Sequence, residues 1–122
     1  MIVVAIALAG AVGAVTRFVV DGYVQERHGY RFPWGTFLIN GGGSLLLGLL
    51  VGLAVSERLS PLVFVVGATG FCGAFTTFST WGYETVRLAE GGSKDVAAGY
   101  ALGSLAAGLV AAAAGLALGS LL

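Results

Sequence analysis

Charge, cysteine and histidine are all scarce in this sequence. Only 10% of the 122 residues are charged and 57% are hydrophobic, a balance that excludes an ordinary soluble domain. The formal net charge is zero, so nothing predicts a nucleic acid or an acidic surface as a partner. One cysteine, Cys72, excludes an internal disulfide, and one histidine leaves no metal-binding cluster of cysteine and histidine.

Charged residues are also missing from four long apolar segments, which define the fold class. By number these are residues 1–16, 34–55, 59–83 and 96–122. A helix needs about 20 residues to cross a bilayer; the last three segments reach that length, and the first does if Arg17 extends to the headgroups. The first segment lacks the basic start of a secretion signal, so we interpret it as a retained helix ending near residue 20. The sequence predicts an all-α membrane protein with one four-helix transmembrane domain over residues 1–122.

The third segment departs from an ordinary membrane helix. Gly67, Gly70 and Gly73 are spaced three apart, and residues 76–81 then carry four hydroxyl groups and two aromatic rings. A continuous helix over residues 62–88 would be about 40 Å long, more than the hydrocarbon core requires. We therefore predict that the third helix is broken near its middle. Irregular backbone at such depth is tolerated where it lines a cavity, and there it can present backbone groups to ions.

Several polar residues allow both a structural and a functional interpretation. Asn40, about two turns inside the second helix, could bind a neighbouring helix or donate its amide N–H groups to an ion, and spacing slightly favours the first. Arg17 could pair with Asp21 one turn later or lie at an ion vestibule, with neither favoured. Glu84 could form a simple salt bridge with Arg87.

Small residues recur at helical spacing and predict close helix packing. Glycines four residues apart let backbones approach each other, within or between subunits. Such pairs occur at Gly48 and Gly52, at Gly99 and Gly103, and at Gly115 and Gly119.

The identity of the transported species is left open by the residues alone. The first, second and fourth segments hold no carboxylate at membrane depth, which counts against proton-coupled carriers and rotary ring subunits. No nucleophile–base set is present, so an enzyme is not expected. Uncharged donors and electropositive ring edges suit a small anion, whereas carbonyls released by a helix break suit a cation. The uncharged donors are Asn40, Thr77, Ser79, Thr80, Tyr100 and Ser104.

One stretch resembles a known family. Gly-Phe-Cys-Gly at residues 70–73, followed by Thr-Thr-Phe-Ser-Thr at residues 76–80, closely resembles the third-helix signature of the small bacterial fluoride channels, the Fluc or CrcB family. The similarity covers all four helices in order. It also includes Arg17 after Gly13, Asn40 followed by glycines and Ser44, and the pair Tyr100 and Ser104.

The resemblance implies a specific assembly and function. It implies a homodimer of antiparallel subunits in the plasma (inner) membrane of a prokaryote, which exports fluoride passively from the cytoplasm along two pathways at the subunit interface. It also implies a structural sodium ion at the dimer centre, held by the backbone carbonyls of Gly73 and Thr76. The residues implied at each anion pathway are Asn40, Phe78, Ser79, Thr80, Trp81, Glu84, Tyr100 and Ser104, with Arg17 at the vestibule.

Two features depart from the family pattern. Trp81 stands where the family more often has phenylalanine. The loops on one side carry Arg27, Arg31 and Lys94, and the opposite side carries Arg58. This bias favours cytoplasmic placement of the first and third loops. Antiparallel insertion of two subunits, by contrast, is expected to show little bias.

The alternatives come from other classes of membrane protein. A small dimeric multidrug-type antiporter has the same size, but it needs a carboxylate in the first helix that this sequence lacks. A scaffold subunit would explain the small residues but not the clustered hydroxyl groups.

Overall fold

The computed structural model describes all of residues 1–122 and consists of helices without strands. Four helices are long and apolar enough to cross a membrane, which confirms the predicted all-α membrane protein: Ile2–His28, Trp34–Val55, Pro61–Glu90 and Lys94–Leu121. We call Pro61–Glu90 the third crossing. The α-helical elements are α1 (Ile2–His28), α2 (Trp34–Val55), α3 (Pro61–Val65), α4 (Gly73–Phe75), α5 (Ser79–Glu90) and α6 (Lys94–Leu121).

The first helix is longer than its apolar segment indicates. Its predicted end near residue 20 was wrong, because α1 continues to His28 and stops at Gly29, where φ is 74°. Side-chain bonds one turn apart support the extension: the Gln25 amide donates to Asp21 at 3.1 Å. The charged residues after residue 20 therefore lie on a helix that extends beyond the apolar part.

The backbone pattern changes twice within the third crossing. Val66–Cys72 is π-helical, and at its end the Gly73 N–H donates to the carbonyl of Ala68, five residues earlier. Thr76 then adopts φ −79° and ψ 160°, and α5 begins only at Ser79. The glycines of this region are themselves helical, so the residues outside the helices are those at 76–78.

A glycine seam joins α2 to α6. An added Cβ on Gly115 would overlap the Leu45 carbonyl and lie 2.8 Å from the Leu49 nitrogen. Gly48 and Gly52 lie equally close to the α6 backbone. The predicted close packing of these glycines is confirmed within one chain. Gly99 and Gly103 differ, because an added Cβ on either would meet nothing within 4 Å.

The first helix packs against the π-helical part of the third crossing. Here too the contact is between backbones, because an added Cβ on Gly13 would overlap the Phe71 carbonyl and one on Gly70 would lie 2.8 Å from the Ile6 carbonyl. One set of glycine contacts therefore joins α1 to the third crossing, and the other joins α2 to α6. The outer surface carries exposed apolar side chains such as Val3 and Val110, as expected of a protein surrounded by lipid.

Candidate ion pathway

A groove of about 420 Å³ opens between α2, the third crossing and α6. Its floor is formed where residues 76–78 leave the helix beside the glycine-rich half of α2. Leu47, Leu105 and Leu109 form apolar parts of its wall. Six of the residues predicted at functional positions line this one groove: Asn40, Gly73, Thr76, Phe78, Trp81 and Ser104.

The Asn40 side chain holds the non-helical segment by two hydrogen bonds. Its Nδ2 donates to the Thr77 carbonyl at 2.8 Å, and its Oδ1 accepts the Thr77 N–H at 2.8 Å. The amide thus substitutes for the backbone partners that Thr77 would have in a continuous helix. A carboxamide has two N–H groups, so one donor of Asn40 is not used by this pairing. The interhelical role considered for Asn40 is therefore present, and it leaves a donor in the groove.

The neighbouring carbonyl, that of Thr76, is bound by an arginine from α1. The Arg17 Nη1 donates to it at 3.2 Å, while the Thr76 hydroxyl donates back to the Cys72 carbonyl at 2.8 Å. Asp21 instead accepts from Gln25. The ion pair considered between Arg17 and Asp21 is therefore not formed, and α1 reaches the non-helical segment through Arg17.

The Gly73 carbonyl is released by the same change in backbone. In a continuous helix it would accept the Thr77 N–H, but that N–H donates to Asn40. Gly73 is exposed and lines the groove. A freed backbone carbonyl is a suitable ligand for a hard cation such as sodium. The Thr76 carbonyl also has the right chemistry, but it already accepts from Arg17, so a cation there would have to use its second lone pair.

Phe78 and Trp81 form a pair of rings at the mouth of the groove. Their centroids are 5.1 Å apart, with 41° between the ring planes. The Phe78 side chain is 81% exposed, so most of its surface contacts no other part of this chain. A ring presented in this way is available to a partner or to a ligand in the groove.

A buried polar cluster lies between α2, α5 and α6. Thr36 donates a short hydrogen bond to the Glu84 carboxylate, and both residues are buried. The simple salt bridge considered between Glu84 and Arg87 is not formed. Beside them, the hydroxyl groups of Tyr100 and Ser104 are buried without a hydrogen-bond partner. Buried hydroxyl groups are normally paired, so both are exceptions; Ser104 lines the groove, whereas Tyr100 lines neither cavity.

A smaller cavity of about 340 Å³, which we call the Arg17 cavity, lies on the other side of Thr77. Thr77 and Thr80 line it and bond to each other, Oγ1 to Oγ1, at 3.0 Å. Ser79 is exposed, with its hydroxyl 3.4 Å from that of Thr77. The remaining lining residues are Ala14, Arg17, Phe18, Asp21, Thr36 and Ile39.

The predicted site residues thus fall into three adjacent places rather than one continuous track. The groove holds Asn40, Phe78, Trp81 and Ser104, the Arg17 cavity holds Arg17 and Thr80, and Glu84 and Tyr100 are buried between helices. Sequence reasoning missed Thr36, which bonds Glu84 and also lines the Arg17 cavity. Its position four residues before Asn40, on the same face of α2, is the signal that could have identified it.

Four candidate membrane-spanning helices, with a groove that holds a few uncharged polar groups, define this chain as a small multi-pass membrane protein. It matches the family described as "CrcB-like protein, Camphor Resistance (CrcB)" over residues 4–116. The chain belongs to this family.

The similar proteins share most of their length with this chain. "Fluoride-specific ion channel FluC 1" of Streptomyces avermitilis is 54% identical over 109 residues, covering 88% of each chain. "Fluoride-specific ion channel FluC 1" of Symbiobacterium thermophilum is 51% identical over 118 residues, covering 95% of each. "Fluoride-specific ion channel FluC" of Thermus thermophilus is 42% identical over 117 residues, covering 96% of this chain and 92% of the relative. All three are named as channels, not enzymes.

Proposed function

We propose that this protein is a fluoride-selective channel that exports fluoride passively across the plasma membrane of a prokaryote. The observation that carries this proposal is membership of the CrcB family together with 54% identity to a relative named as a fluoride-specific channel. The groove is consistent with it, because its largely apolar wall holds uncharged donors and two aromatic rings between the candidate membrane-spanning helices.

Selection of fluoride rests on replacing its hydration shell with donors fixed in place. Asn40 offers the N–H that its pairing with Thr77 leaves unused, and the buried Ser104 hydroxyl at the groove is unpartnered. Ring edges are electropositive, so Phe78 and Trp81 can face an anion edge-on. Because Asn40 is fixed at two points, its donor cannot shift to suit a larger ion, and a rigid, narrow path would exclude chloride.

A second copy of the chain completes the pathway in this proposal. Four helices enclose little space by themselves, and the groove is open on the side where Phe78 is 81% exposed. Gly99 and Gly103 offer a thin face of α6 that no part of the same chain contacts. We infer an antiparallel homodimer with two fluoride pathways along the interface.

In this assembly residues 76–78 would act as a break of the third helix, and the backbone carbonyls beside it would hold a sodium ion. The Gly73 carbonyl fits this role because it has lost its helical partner. The Thr76 carbonyl accepts from Arg17 and would have to contribute its other lone pair. A sodium ion bound there would supply a fixed positive charge.

The remaining predicted positions extend the donor lining away from the groove. Thr80 lines the Arg17 cavity, the exposed Ser79 hydroxyl lies 3.4 Å from that of Thr77, and Tyr100 adds an unpartnered buried hydroxyl near Glu84. Glu84 is in the third crossing and is bonded by Thr36, and the carboxylates of α1, Asp21 and Glu26, follow its uncharged segment 1–16. None of them is the membrane-embedded first-helix carboxylate that the antiporter alternative requires.

Fluoride efflux from liposomes that contain only this purified protein tests the proposal. We expect rapid release of fluoride at a fluoride electrode, and no release of chloride. Phe78→Ile should abolish fluoride release, because it removes the exposed ring of the groove, while the protein stays dimeric in size-exclusion chromatography.

Phe64→Ile is the matched control, since Phe64 is also in the third crossing but lines neither cavity. It should conduct like the unaltered protein. Absence of fluoride release from well-folded, unaltered protein would contradict the channel, and full release by Phe78→Ile would remove this ring from the pathway.

A further inference from the structure

The Arg17 cavity contains two opposite charges that do not neutralise each other by contact. Arg17 and Asp21 lie one turn apart on α1 and both line the cavity. Arg17 donates to the Thr76 carbonyl, and Asp21 accepts from the neutral amide of Gln25. The cavity therefore presents an unpaired cation and an unpaired anion to whatever enters it.

The position of the Asp21 carboxylate is fixed from two sides. Gln25 donates to its Oδ1 at 3.1 Å. On the other side the carboxylate lies against Gly35 of α2, where an added Cβ would overlap Oδ1 and lie 3.1 Å from the carboxyl carbon. Any side chain at residue 35 would displace it. The carboxylate is therefore a fixed part of the cavity wall and not a mobile surface group.

A fixed negative charge opposes the binding of an anion beside Arg17. At an effective dielectric constant of about 20, two unit charges several ångströms apart still interact strongly. Their interaction changes the affinity for a bound ion by about one order of magnitude or more. Arg17 alone would hold an anion tightly, and tight binding slows conduction because each ion must leave before the next can pass.

We infer that Asp21 weakens anion binding in the Arg17 cavity and so sets the fluoride concentration range over which the channel conducts. This inference rests on the proposed function. In this inference Asp21 acts through its charge. The isosteric asparagine tests this, because it removes the charge but keeps the hydrogen bond to Gln25 and the contact with Gly35.

The experiment compares Asp21→Asn with Glu26→Gln in the liposome efflux assay at low and high fluoride. Both changes remove one negative charge from α1, but Glu26 is exposed and lines neither cavity. Asp21→Asn should raise the ratio of the low-fluoride to the high-fluoride rate by about threefold or more. Glu26→Gln should leave this ratio unchanged.

Added potassium gluconate supplies a second measurement. Salt screens interactions between charges, so the difference between Asp21→Asn and the unaltered protein should shrink as ionic strength rises. A ratio in Asp21→Asn equal to that in Glu26→Gln, or lower, would overturn this inference and leave the channel intact. No fluoride release from the unaltered protein would overturn the proposed function, and this inference with it.

Discussion

The two faces of α2 contrast in how they use small residues. Toward α6, Gly48 and Gly52 bring two backbones together so closely that an added Cβ would overlap carbonyl oxygens. Toward the third crossing, Asn40 and Gly43 border an open groove, where the closest contacts are hydrogen bonds and side chains. One helix therefore supplies both a rigid seam and one wall of a polar groove.

This contrast explains how so small a protein can keep a polar groove open. Within a bilayer no hydrophobic effect drives helices together, so the seam depends on close van der Waals contact between glycines. The groove side can then carry polar groups, because its backbone irregularity is satisfied by the Asn40 amide and by Arg17. Substitutions on the two faces should consequently affect different properties.

The largest effect is expected from Gly115→Val, which breaks the seam. Its side chain would overlap the Leu45 carbonyl, so α2 and α6 would have to separate, at a cost of about 3 kcal/mol or more. We expect most of the protein to be lost or aggregated in size-exclusion chromatography, with a lower thermal unfolding temperature. Gly99→Val, on the same helix with nothing within 4 Å, is the matched control and should retain the monomer fold. Equal losses in both variants would contradict the seam.

A smaller effect, confined to conduction, is expected from Asn40→Asp on the groove face. The carboxylate can still accept the Thr77 N–H, but it cannot donate to the Thr77 carbonyl and it places negative charge in the anion path. Fluoride efflux should fall at least tenfold while the protein remains folded, because charges of like sign repel strongly where water is scarce. Normal efflux in well-folded Asn40→Asp protein would remove Asn40 from the pathway.

The smallest effect on a single chain, and the sharpest test of assembly, is expected from Gly73→Val. Within the chain an added Cβ on Gly73 meets only the Ala68 carbonyl, at 3.8 Å, so the fold should tolerate it. In the proposed dimer the same position borders sodium and the second subunit. The dimer fraction and the bound sodium should therefore fall together, as measured by light scattering and elemental analysis. A dimer with unchanged sodium content would count against this site.

The amino-acid sequence predicts much of the fold, because hydropathy and glycine spacing are local properties. The four crossings follow from segment length, and the close contact of Gly115 and Gly119 with α2 follows from their spacing. The end of α1 was not predicted, since the charged residues after residue 20 remain helical through bonds such as Gln25 to Asp21.

Several of the predicted site residues line one groove, but their hydrogen bonds were not predicted. Asn40 and Phe78 were expected near one another, and both line the groove. That Asn40 binds Thr77 at two points, and that Arg17 binds Thr76 rather than Asp21, depends on how α1 and α2 lie across the third crossing. Partners so distant in sequence leave no periodic signal. The bond of Thr36 to Glu84, 48 residues away, was missed likewise, although its spacing from Asn40 places Thr36 on the same face of α2.

The π-helical part of the third crossing determines the direction in which the later residues point. A bond that spans five residues takes up one residue more than a bond that spans four, which turns the following chain by about 100° relative to a regular helix. The orientation of Phe78 and Trp81 therefore depends on the number of residues in Val66–Cys72. Inserting or deleting one residue there would rotate both rings relative to α2 and α6, the other walls of the groove. Evolution of this chain should accept length changes in the turn at residues 56–60 far more readily than in this segment.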